Sequence, residues 1–449
     1  MTALAGFSAL SAKMSPERLS LLFPALGVLL VVLLAARTRP RAAAGLWFVV
    51  ICFVPCWVQV TLKYSFPAAT ILSILLVLAA FPTVPKDFGI GDWMMIGFFL
   101  FAIAPYLFGL NDRSSTMILL TYWGPAYLLG RTMVLRTGVD WLYRCAAALF
   151  TVVAVGAVIE FAFSWNPFVG IRLNNALYQT WGTLQERGGV LRAEGAFGHS
   201  IALGASIALV IPLVIASRFS LRTRALMVLA MLAAEVATFS RAGMVSAALA
   251  VALMALFGRE GLSPRLRGLV LAVLVVVAIC AAPLVTGTYA KAGTEASNSA
   301  DYRLSLTSLI PRIALVGKSP DMYVSANGTH YVGQFRSIDS ALILLGLTYG
   351  LIPLLIMCAM LLGGVYLLVS RQATAPTVAV VAQLPAFLSV AMITQYQVLV
   401  WFMVGLAVCT QAMRNHDDHP VPTAIRRPAP LRRPVHASSG SLVASRGND

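Results

Sequence analysis

Long apolar runs, separated by short polar connections, dominate the chain. A helix needs about 20 apolar residues to cross a bilayer core of roughly 30 Å, and such runs recur from end to end. No stretch alternates polar and apolar residues as a transmembrane barrel does, so we expect helical spans. The pattern predicts 13 spans, give or take one: Ser20–Ala36, Ala44–Val60, Ser65–Phe81, Trp93–Leu110, Ser115–Gly130, Trp141–Phe163, Ile201–Ser217, Ala225–Ser240, Gly243–Gly258, Gly268–Thr286, Ser340–Val369, Thr377–Ile393 and Val398–Met413.

Composition and charge placement agree with this pattern. The chain is 59% hydrophobic and only 11% charged, far from the composition of a soluble globular protein. Its net charge of +16 is concentrated in short loops, as the positive-inside rule expects of cytoplasmic connections. Three short loops carry three arginines each: Arg37, Arg39 and Arg41; Arg218, Arg222 and Arg224; Arg259, Arg265 and Arg267. We therefore expect an all-α integral membrane protein with about 12–14 transmembrane helices.

Placing those loops in the cytoplasm leaves two long polar segments, 164–200 and 287–339, on the other side of the membrane. We divide the chain into N-terminal transmembrane helices (1–140), a transmembrane core with these two loops (141–413) and a basic, proline-rich, disordered cytoplasmic tail (414–449). The tail has no aromatic residues among its arginines, which argues against nucleic-acid binding. Thirteen spans put the N-terminus outside although Lys13 and Arg18 precede the first span, so either that end breaks the rule or one early span is re-entrant.

Several common kinds of site are missing from the sequence. There is no Gly-x4-Gly-Lys-Ser/Thr loop for nucleotide phosphates and no Asp-x-Asp pair to hold a divalent metal against a diphosphate. The six cysteines all fall within predicted spans, where a small core residue is the expected interpretation. The N-terminus lacks the pattern of a cleavable signal peptide, so we expect the first span to remain as an anchor. The sequence therefore predicts no cofactor.

Polar and charged side chains cluster at the entrance of the seventh predicted span. Four of them lie within 13 residues: Arg187, Arg192, Glu194 and His199. Gly195 and Gly198 in the same stretch allow close backbone approach. A cluster of this kind at the outer membrane boundary is a candidate site. The alternative for His199 is a residue at the helix start that hydrogen-bonds to the backbone.

The sequence "SRAG" marks a second polar position between two apolar runs. As one helix, Ala225–Ser240 and Gly243–Gly258 would extend about 48 Å and overshoot the bilayer. We therefore expect the chain to fold back there, which brings Arg241 to the outer face near the depth of Arg192. Glu235 lies farther into the membrane and is either a functional acid or the structural partner of a neighbouring arginine.

A ligand that suits arginines at this depth is a lipid-linked diphosphate. Guanidinium groups bind phosphate oxygens bidentately and stay charged, so they can neutralise a leaving diphosphate without a metal. The alternative for each single arginine is an anchor to lipid phosphate at the membrane interface. The grouping of several arginines in two outer loops and a hairpin turn favours the diphosphate.

Three stretches resemble the O-antigen ligase and O-antigen polymerase superfamily, which includes exopolysaccharide polymerases. The first is "RAEGAFGHSIALGASIAL", with Arg192, Gly195, Phe197 and His199. The second is "TFSRAGMVSAALA", which differs from the usual Thr-x-Ser-Arg-Gly motif by Ala242. The third is "YRLSLTSLIPRIALVGKSP" followed by "SIDSALILLGLTYGLIPLLI", which is similar to the second external loop and its exit helix. The resemblance covers about Trp141 to Met413.

This resemblance implies a metal-independent membrane glycosyltransferase of the bacterial inner membrane, with its active site facing the periplasm. The donor would be an undecaprenyl-diphosphate-linked glycan, the acceptor a growing polysaccharide, and further partners membrane lipid, a flippase and a chain-length regulator. Four arginines would hold the diphosphate: Arg187, Arg192, Arg241 and Arg303. The base that deprotonates the acceptor stays open among four residues: His330, Asp339, Glu194 and His199.

One departure from the family pattern bears on the branch. The ligase branch usually has a His-Asn pair just before the exit helix, where this chain has Asp339 and Ser340. We therefore expect a polymerase that joins lipid-linked repeat units into a surface polysaccharide or exopolysaccharide. The alternatives are an O-antigen ligase that transfers the glycan to lipid A core, and a transporter or flippase of lipid-linked sugar.

Overall fold

The computed structural model describes residues 33–34, 36–61, 65–80, 88–258, 263–292, 301–324 and 330–418. Residues up to Ala412 form one compact unit. A second unit begins at Met413, and its described part is the last stretch of the final helix. The predicted first span, Ser20–Ala36, lies almost entirely outside the described residues, as do Lys13, Arg18 and the tail after Asp418.

The described chain is mostly helical, in agreement with the expected fold class. Its strands pair only in antiparallel ribbons of two strands. A short ribbon, β1 (Gln59–Thr61) and β2 (Ser65–Pro67), stands between the first two helices described below. The first half contains α1 (Pro40–Phe53), α2 (Ala68–Ala80), α3 (Ile90–Leu107), α4 (Arg113–Ile118), a π-helical turn (Leu119–Trp123), α5 (Gly124–Thr137), α6 (Val139–Phe163) and α7 (Ala176–Trp181).

The second half begins with a ribbon, β3 (Glu186–Arg187) and β4 (Val190–Leu191), and a 3-10 turn, Gly195–Phe197. A 3-10 segment, Leu306–Arg312, and a third ribbon, β5 (Met322–Val324) and β6 (His330–Val332), belong to the later polar segment. The helices are α8 (Ser200–Ala216), α9 (Leu221–Thr238), α10 (Arg241–Phe257), α11 (Pro264–Ala292), α12 (Ala341–Tyr349), α13 (Leu351–Val369), α14 (Ala375–Ala382), α15 (Leu384–Ser389) and α16 (Thr394–Asp418).

Five of the described helical segments are long and apolar enough to cross a membrane: Ile90–Leu107, Val139–Phe163, Pro264–Gly287, Leu351–Val369 and Thr394–Asn415. Five shorter apolar segments, between 10 and 17 residues long, accompany them. These helices are consistent with an integral membrane protein. The full count of 13 spans stays a prediction, because length and composition alone mark fewer.

Three predicted spans are not single continuous helices in the structure, and most of the others differ from the helices by a few residues at their ends. Ala44–Val60 stops being helical after Phe53, because Pro55 follows and the chain enters β1. Thr377–Ile393 is divided into α14 and α15 at Gln383, next to a proline in the first turn of α15. These two runs are apolar but not continuous helices, which hydrophobicity alone does not reveal.

The predicted span Ser340–Val369 is also wrong as a single helix. It breaks at Gly350, whose φ of 101° is open mainly to glycine. The segment before β5 approaches there: the Gly317 amide donates to the Tyr349 carbonyl (3.0 Å), and the Leu351 amide donates to the Ala314 carbonyl (2.8 Å). A Cβ at Gly350 would lie 2.7 Å from Val316 Cα. The break therefore accommodates a segment that is distant in the sequence.

Helix α8 lies at the centre of the bundle. Its residues from Ala202 to Ile215 are all buried, and it packs against α6, α9, α10 and α14. A helix that is apolar on every side is expected in the interior of a helical bundle. The start of α8 therefore has a fixed position, and the polar cluster of the sequence directly precedes it.

Helices α5 and α16 approach each other through two glycines, and this contact gives a first prediction. A Cβ at Gly130 would lie 2.0 Å from the Phe402 carbonyl oxygen, and one at Gly405 would lie 2.0 Å from that of Tyr127. We expect Gly130→Ala to lower the free energy of unfolding by about 1–3 kcal/mol, because the two backbones must move apart. Denaturant unfolding in detergent measures this change.

The control for this substitution is Gly363→Ala on α13, where an added Cβ meets nothing within 4 Å. That variant should be as stable as the wild type or slightly more stable, because alanine favours helix. Equal stability of the Gly130 and Gly363 variants would contradict the close contact.

Candidate functional site

The turn between α9 and α10 forms one side of the candidate site. Phe239 ends α9 in a left-handed conformation with a φ of 47°. Ser240 then caps α10, since its Oγ accepts a hydrogen bond from the Gly243 amide (3.1 Å). The chain therefore folds back at "SRAG" as predicted, and Arg241 is the first residue of α10.

A cavity of about 190 Å³ lies beside this turn, and we call it the arginine cavity. All four arginines that the sequence marked for diphosphate binding line it: Arg187, Arg192, Arg241 and Arg303. Its other lining residues are Ile201, Ser240, Ala242, Val245, Pro385, Ser389 and Val390. No acidic side chain is among them. Because several guanidinium charges converge on a small volume, the cavity has the electrostatic character of an anion site.

Arg187 and Arg192 are held by the end of α9. The Nε of Arg192 donates to the Thr238 carbonyl (2.9 Å), and Nη1 of Arg187 donates to the Phe239 carbonyl (3.2 Å). The last carbonyls of a helix have no partner within the helix, so these side chains satisfy them. In turn, the helix end fixes the two guanidinium groups at the cavity.

The β3–β4 ribbon brings the same two arginines together in space. Gly188 and Gly189 connect its strands, and both have positive φ, 56° and 75°. Two consecutive positive φ values are typical of the tight turn that suits a two-residue hairpin. Arg187 pairs with Val190 across the ribbon. Leu191 follows Val190 and ends β4, and Arg192 comes directly after it.

Arg303 reaches the cavity from the other polar segment, directly before the 3-10 segment Leu306–Arg312. The α15 side of the cavity is connected to the start of α12. There the Ala341 amide donates to the Val390 carbonyl (2.9 Å), and Ser340 caps the helix. The cavity therefore joins residues from both polar segments and from the hairpin turn.

Glu194 does not line the arginine cavity. Its carboxyl is buried and accepts a hydrogen bond from the Gln185 amide (3.0 Å). Burial raises the pKa of Glu194 to about 8, and the nearby charge of Glu160 adds to this rise. At neutral pH this carboxyl is therefore largely protonated.

The raised pKa of Glu194 predicts a pH dependence of stability. The folded-state value of about 8 exceeds the ordinary 4.5, so the folded chain binds this proton more tightly. The stabilisation from this proton is complete when the pH is below the ordinary pKa of 4.5. It is lost as the pH rises towards the folded-state pKa of about 8, by about 1.4 kcal/mol per pH unit at most. The stability of the wild type relative to Glu194→Gln should therefore fall between about pH 5 and about pH 8.

Thermal unfolding midpoints of the two proteins in detergent, measured across this range, check the prediction. A difference between wild type and variant that does not change with pH would contradict it.

His199 lies at the start of a helix and hydrogen-bonds to the backbone, which is the alternative that the sequence allowed for it. It caps α8, with Nδ1 accepting a hydrogen bond from the Ile201 amide (3.1 Å), and its ring contacts Trp181 edge to face. Burial and the charges of Arg192 and Arg187 lower the pKa of His199 to about 4, so the ring is neutral at pH 7. Its place at the helix start makes it a structural residue of the site, and it does not line the cavity.

Asp339 and His330 belong to the polar segment that contributes Arg303. Asp339 is half-buried, and its Oδ1 accepts a hydrogen bond from the Ser337 hydroxyl (2.7 Å). Burial and the charge of Asp339 raise the pKa of Tyr302, the neighbour of Arg303 in the sequence. His330 lies on β6, where its backbone pairs with Val324. Asp339 is not among the residues that line the cavity, and the side chain of His330 lies outside the described part of the structure.

Within the part of the chain that the structure describes, Glu235 forms no ion pair or hydrogen bond with an arginine, so the structural pair that the sequence allowed is not found there. Its carboxyl is buried against the glycines of two neighbouring helices. A Cβ at Gly243 would lie 2.5 Å from Glu235 Oε2, and one at Gly204 would lie 2.9 Å from it. The small residues leave room for this side chain, while the arginines lie at the helix ends.

The sequence interpretation missed one acid beside the site. Glu160, near the end of α6, accepts hydrogen bonds from the amides of Glu194 and Gly195, both at 2.9 Å. The rule that an ionisable residue within a span is a functional candidate applied to it as well as to Glu235. Within the described residues, no group of three or more His, Cys, Asp or Glu side chains could hold a metal ion.

No known protein-family model matches this chain, and no curated protein matches its sequence.

Proposed function

We propose that the protein is an integral-membrane glycosyltransferase that joins undecaprenyl-diphosphate-linked repeat units into a polysaccharide. The observation that supports this proposal is the arginine cavity, where Arg187, Arg192, Arg241 and Arg303 converge although they come from three separate stretches of sequence. The reaction would take place at the periplasmic face of the bacterial inner membrane. The resemblance of the sequence to the O-antigen polymerases agrees with this chemistry.

The cavity suits a lipid-linked diphosphate in both charge and position. It lies where α10 begins and α9 ends, and Ile201 in its wall belongs to the first turn of α8. A ligand whose isoprenoid chain lies along apolar helices would bring its diphosphate to this level. The guanidinium groups would bind the phosphate oxygens bidentately.

The same arginines would promote the transfer step. The acceptor hydroxyl oxygen forms the new bond to the anomeric carbon of the donor, and the bond from that carbon to the diphosphate oxygen breaks. The bonding electrons leave with undecaprenyl diphosphate, and the hydroxyl proton goes to a base. Positive charge fixed beside the leaving oxygen stabilises the charge that develops there.

Among the candidate bases, the surroundings of Glu194, His199 and Asp339 favour the polar segment that carries Arg303. Glu194 is buried and His199 is half-buried, and each already accepts a hydrogen bond from a backbone amide. Asp339 is half-buried, and its charge raises the pKa of Tyr302. Tyr302 directly precedes Arg303 in the sequence, so Asp339 lies near the segment that carries this arginine. We therefore propose that the acceptor hydroxyl approaches from the segment that carries Asp339 and His330.

A transfer assay tests this function. The purified protein in nanodiscs receives an undecaprenyl-diphosphate-linked repeat unit, with EDTA and without nucleotide, and the lipid-linked products are separated on a gel. The proposal predicts a ladder of polymer lengths. If transfer occurs only after lipid A core is added, the protein is a ligase and not a polymerase. If no transfer occurs in either case and the lipid-linked sugar moves between leaflets, the protein is a transporter.

A further inference from the structure

We propose that Glu160 is a positioning residue for the arginine cavity: it holds the backbone next to Arg192 so that this guanidinium faces the diphosphate. The inference rests on the proposed function, because diphosphate is the ligand that the cavity would bind. Glu160 itself does not line the cavity. Its effect passes through the segment that starts at Arg192.

Three hydrogen bonds connect the Glu160 carboxylate to its surroundings. Oε1 accepts from the Glu194 amide (2.9 Å) and from Asn166 Nδ2 (2.8 Å), and Oε2 accepts from the Gly195 amide (2.9 Å). The side chain belongs to a residue that is only 7% exposed. Each bond to a charged acceptor in such a place contributes more than a bond between neutral groups.

The segment 192–195 is held from two opposite directions. On one side, the Ala193 amide donates to the Ala237 carbonyl (3.0 Å) and Arg192 Nε donates to the Thr238 carbonyl, both near the end of α9. On the other side, Glu160 at the end of α6 binds the next two amides. Both helix ends are therefore needed to define the path of the segment.

A second side chain supports the backbone just beyond it. The buried Gln395 donates from Nε2 to the Ala196 carbonyl (2.9 Å) and to the Val54 carbonyl (2.9 Å). This contact fixes the 3-10 turn Gly195–Phe197 but does not reach the amides that Glu160 binds. Asn166 Nδ2 also donates to the Gly195 carbonyl (3.2 Å), so Gln395 and Asn166 bind carbonyls of this stretch, whereas Glu160 binds the Glu194 and Gly195 amides.

Only a carboxylate fits the Glu160 position fully, because all three of its neighbours are donors. Glutamine has the same shape, but its amide nitrogen is a donor and would face the Gly195 N–H in one orientation, or both the Glu194 N–H and Asn166 Nδ2 in the other. Glu160→Gln therefore keeps the volume and removes at least one acceptor. The segment would then relax, and Arg192 would lose its defined orientation.

The experiment uses the full-length protein in nanodiscs of zwitterionic lipid and inorganic diphosphate as the probe. We expect Glu160→Gln to raise the dissociation constant for diphosphate by about tenfold, measured by calorimetry. Amide hydrogen exchange should become faster in the peptide that contains residues 192–198, and it should not change in α10. Glu160→Asp keeps the charge and should weaken binding less than the glutamine variant.

The matched control is Asp140→Asn at the opposite end of the same helix. Asp140 pairs with Arg144 (2.9 Å) at a partly exposed position, so its variant should bind diphosphate like the wild type. If wild type and Glu160→Gln bind diphosphate equally, the positioning role is overturned and the proposed function stands. If the wild type binds no diphosphate, both are overturned. If Glu160→Gln does not fold, Glu160→Asp decides: binding as tight as wild type overturns the positioning role.

Discussion

Replacing Arg241 by alanine is expected to lower kcat/KM for the lipid-linked donor by about 10²–10³-fold, because one positive charge beside the leaving diphosphate disappears. Arg241 is the first residue of α10 and lines the arginine cavity together with Arg192 and Arg303. Arg241→Lys should restore part of the activity, since lysine keeps the charge but cannot bind two phosphate oxygens in a planar fork. Initial rates of lipid-linked product formation measure both effects.

The control for Arg241 is Arg222→Ala at the far end of the same helical hairpin. Arg222 is exposed in the first turn of α9 and lies far along the chain from the cavity-lining residues. Its removal should change kcat/KM by less than about twofold, which is the size expected of an exposed charge. Similar rates for the Arg241 and Arg222 variants would contradict the assignment of the cavity.

Replacing Arg131 by alanine is expected to lower the free energy of unfolding by about 3–5 kcal/mol, because it leaves the Asp92 carboxylate buried without its cation. Arg131 on α5 binds Asp92 on α3 bidentately, from Nε to Oδ1 (2.8 Å) and from Nη2 to Oδ2 (2.8 Å). Both side chains are 5% exposed, and the Tyr127 hydroxyl also donates to Asp92 (3.0 Å). Denaturant unfolding in detergent measures the change.

Two further variants show whether the effect belongs to the pair. Arg144→Ala breaks an ion pair whose side chains are 46% and 31% exposed, so it should cost less than about 1 kcal/mol. Asp92→Leu combined with Arg131→Met removes both charges and should be more stable than Arg131→Ala alone. A double variant that is less stable than Arg131→Ala would show that packing, rather than the uncompensated charge, explains the loss.

The proximity of Arg192 and Arg241 could be predicted because it follows from local physics, whereas Arg303 was expected only from the family resemblance. Two apolar runs on either side of "SRAG" are too long together for one membrane crossing, so the turn and the place of Arg241 follow from length alone. The cost of burying a guanidinium in hydrocarbon then keeps Arg192 and Arg241 outside the apolar runs. The first requirement needs only the sequence from Ala225 to Gly258, and the second needs only the apolar runs next to each arginine.

The candidate bases could not be predicted, because their roles depend on which backbone groups face them. Glu194 and His199 have the residue types of a base, but Glu194 accepts a hydrogen bond from the Gln185 amide before β3, and His199 accepts one from the Ile201 amide in the first turn of α8. The break at Gly350 is also non-local, since it arises from the approach of residues 314–317. Hydrophobic periodicity contains no information on either contact.

The Asp92–Arg131 pair was missed for a related reason. The two residues are 39 positions apart, and each lies on its own helix. A search for single charges near predicted spans would have found both residues, because a buried charge needs a partner of opposite sign. Their pairing still depends on how α3 and α5 pack, which the sequence does not state.

The central claim is that the arginine cavity binds a lipid-linked diphosphate, and a direct binding measurement tests it. Undecaprenyl diphosphate and undecaprenol, which have the same chain, are titrated separately into the protein in nanodiscs. We expect the wild type to bind the diphosphate at least about tenfold more tightly, and Arg241→Ala and Arg303→Ala each to reduce that preference. Equal affinity of the wild type for the two lipids, or a preference that both variants retain, would contradict the account.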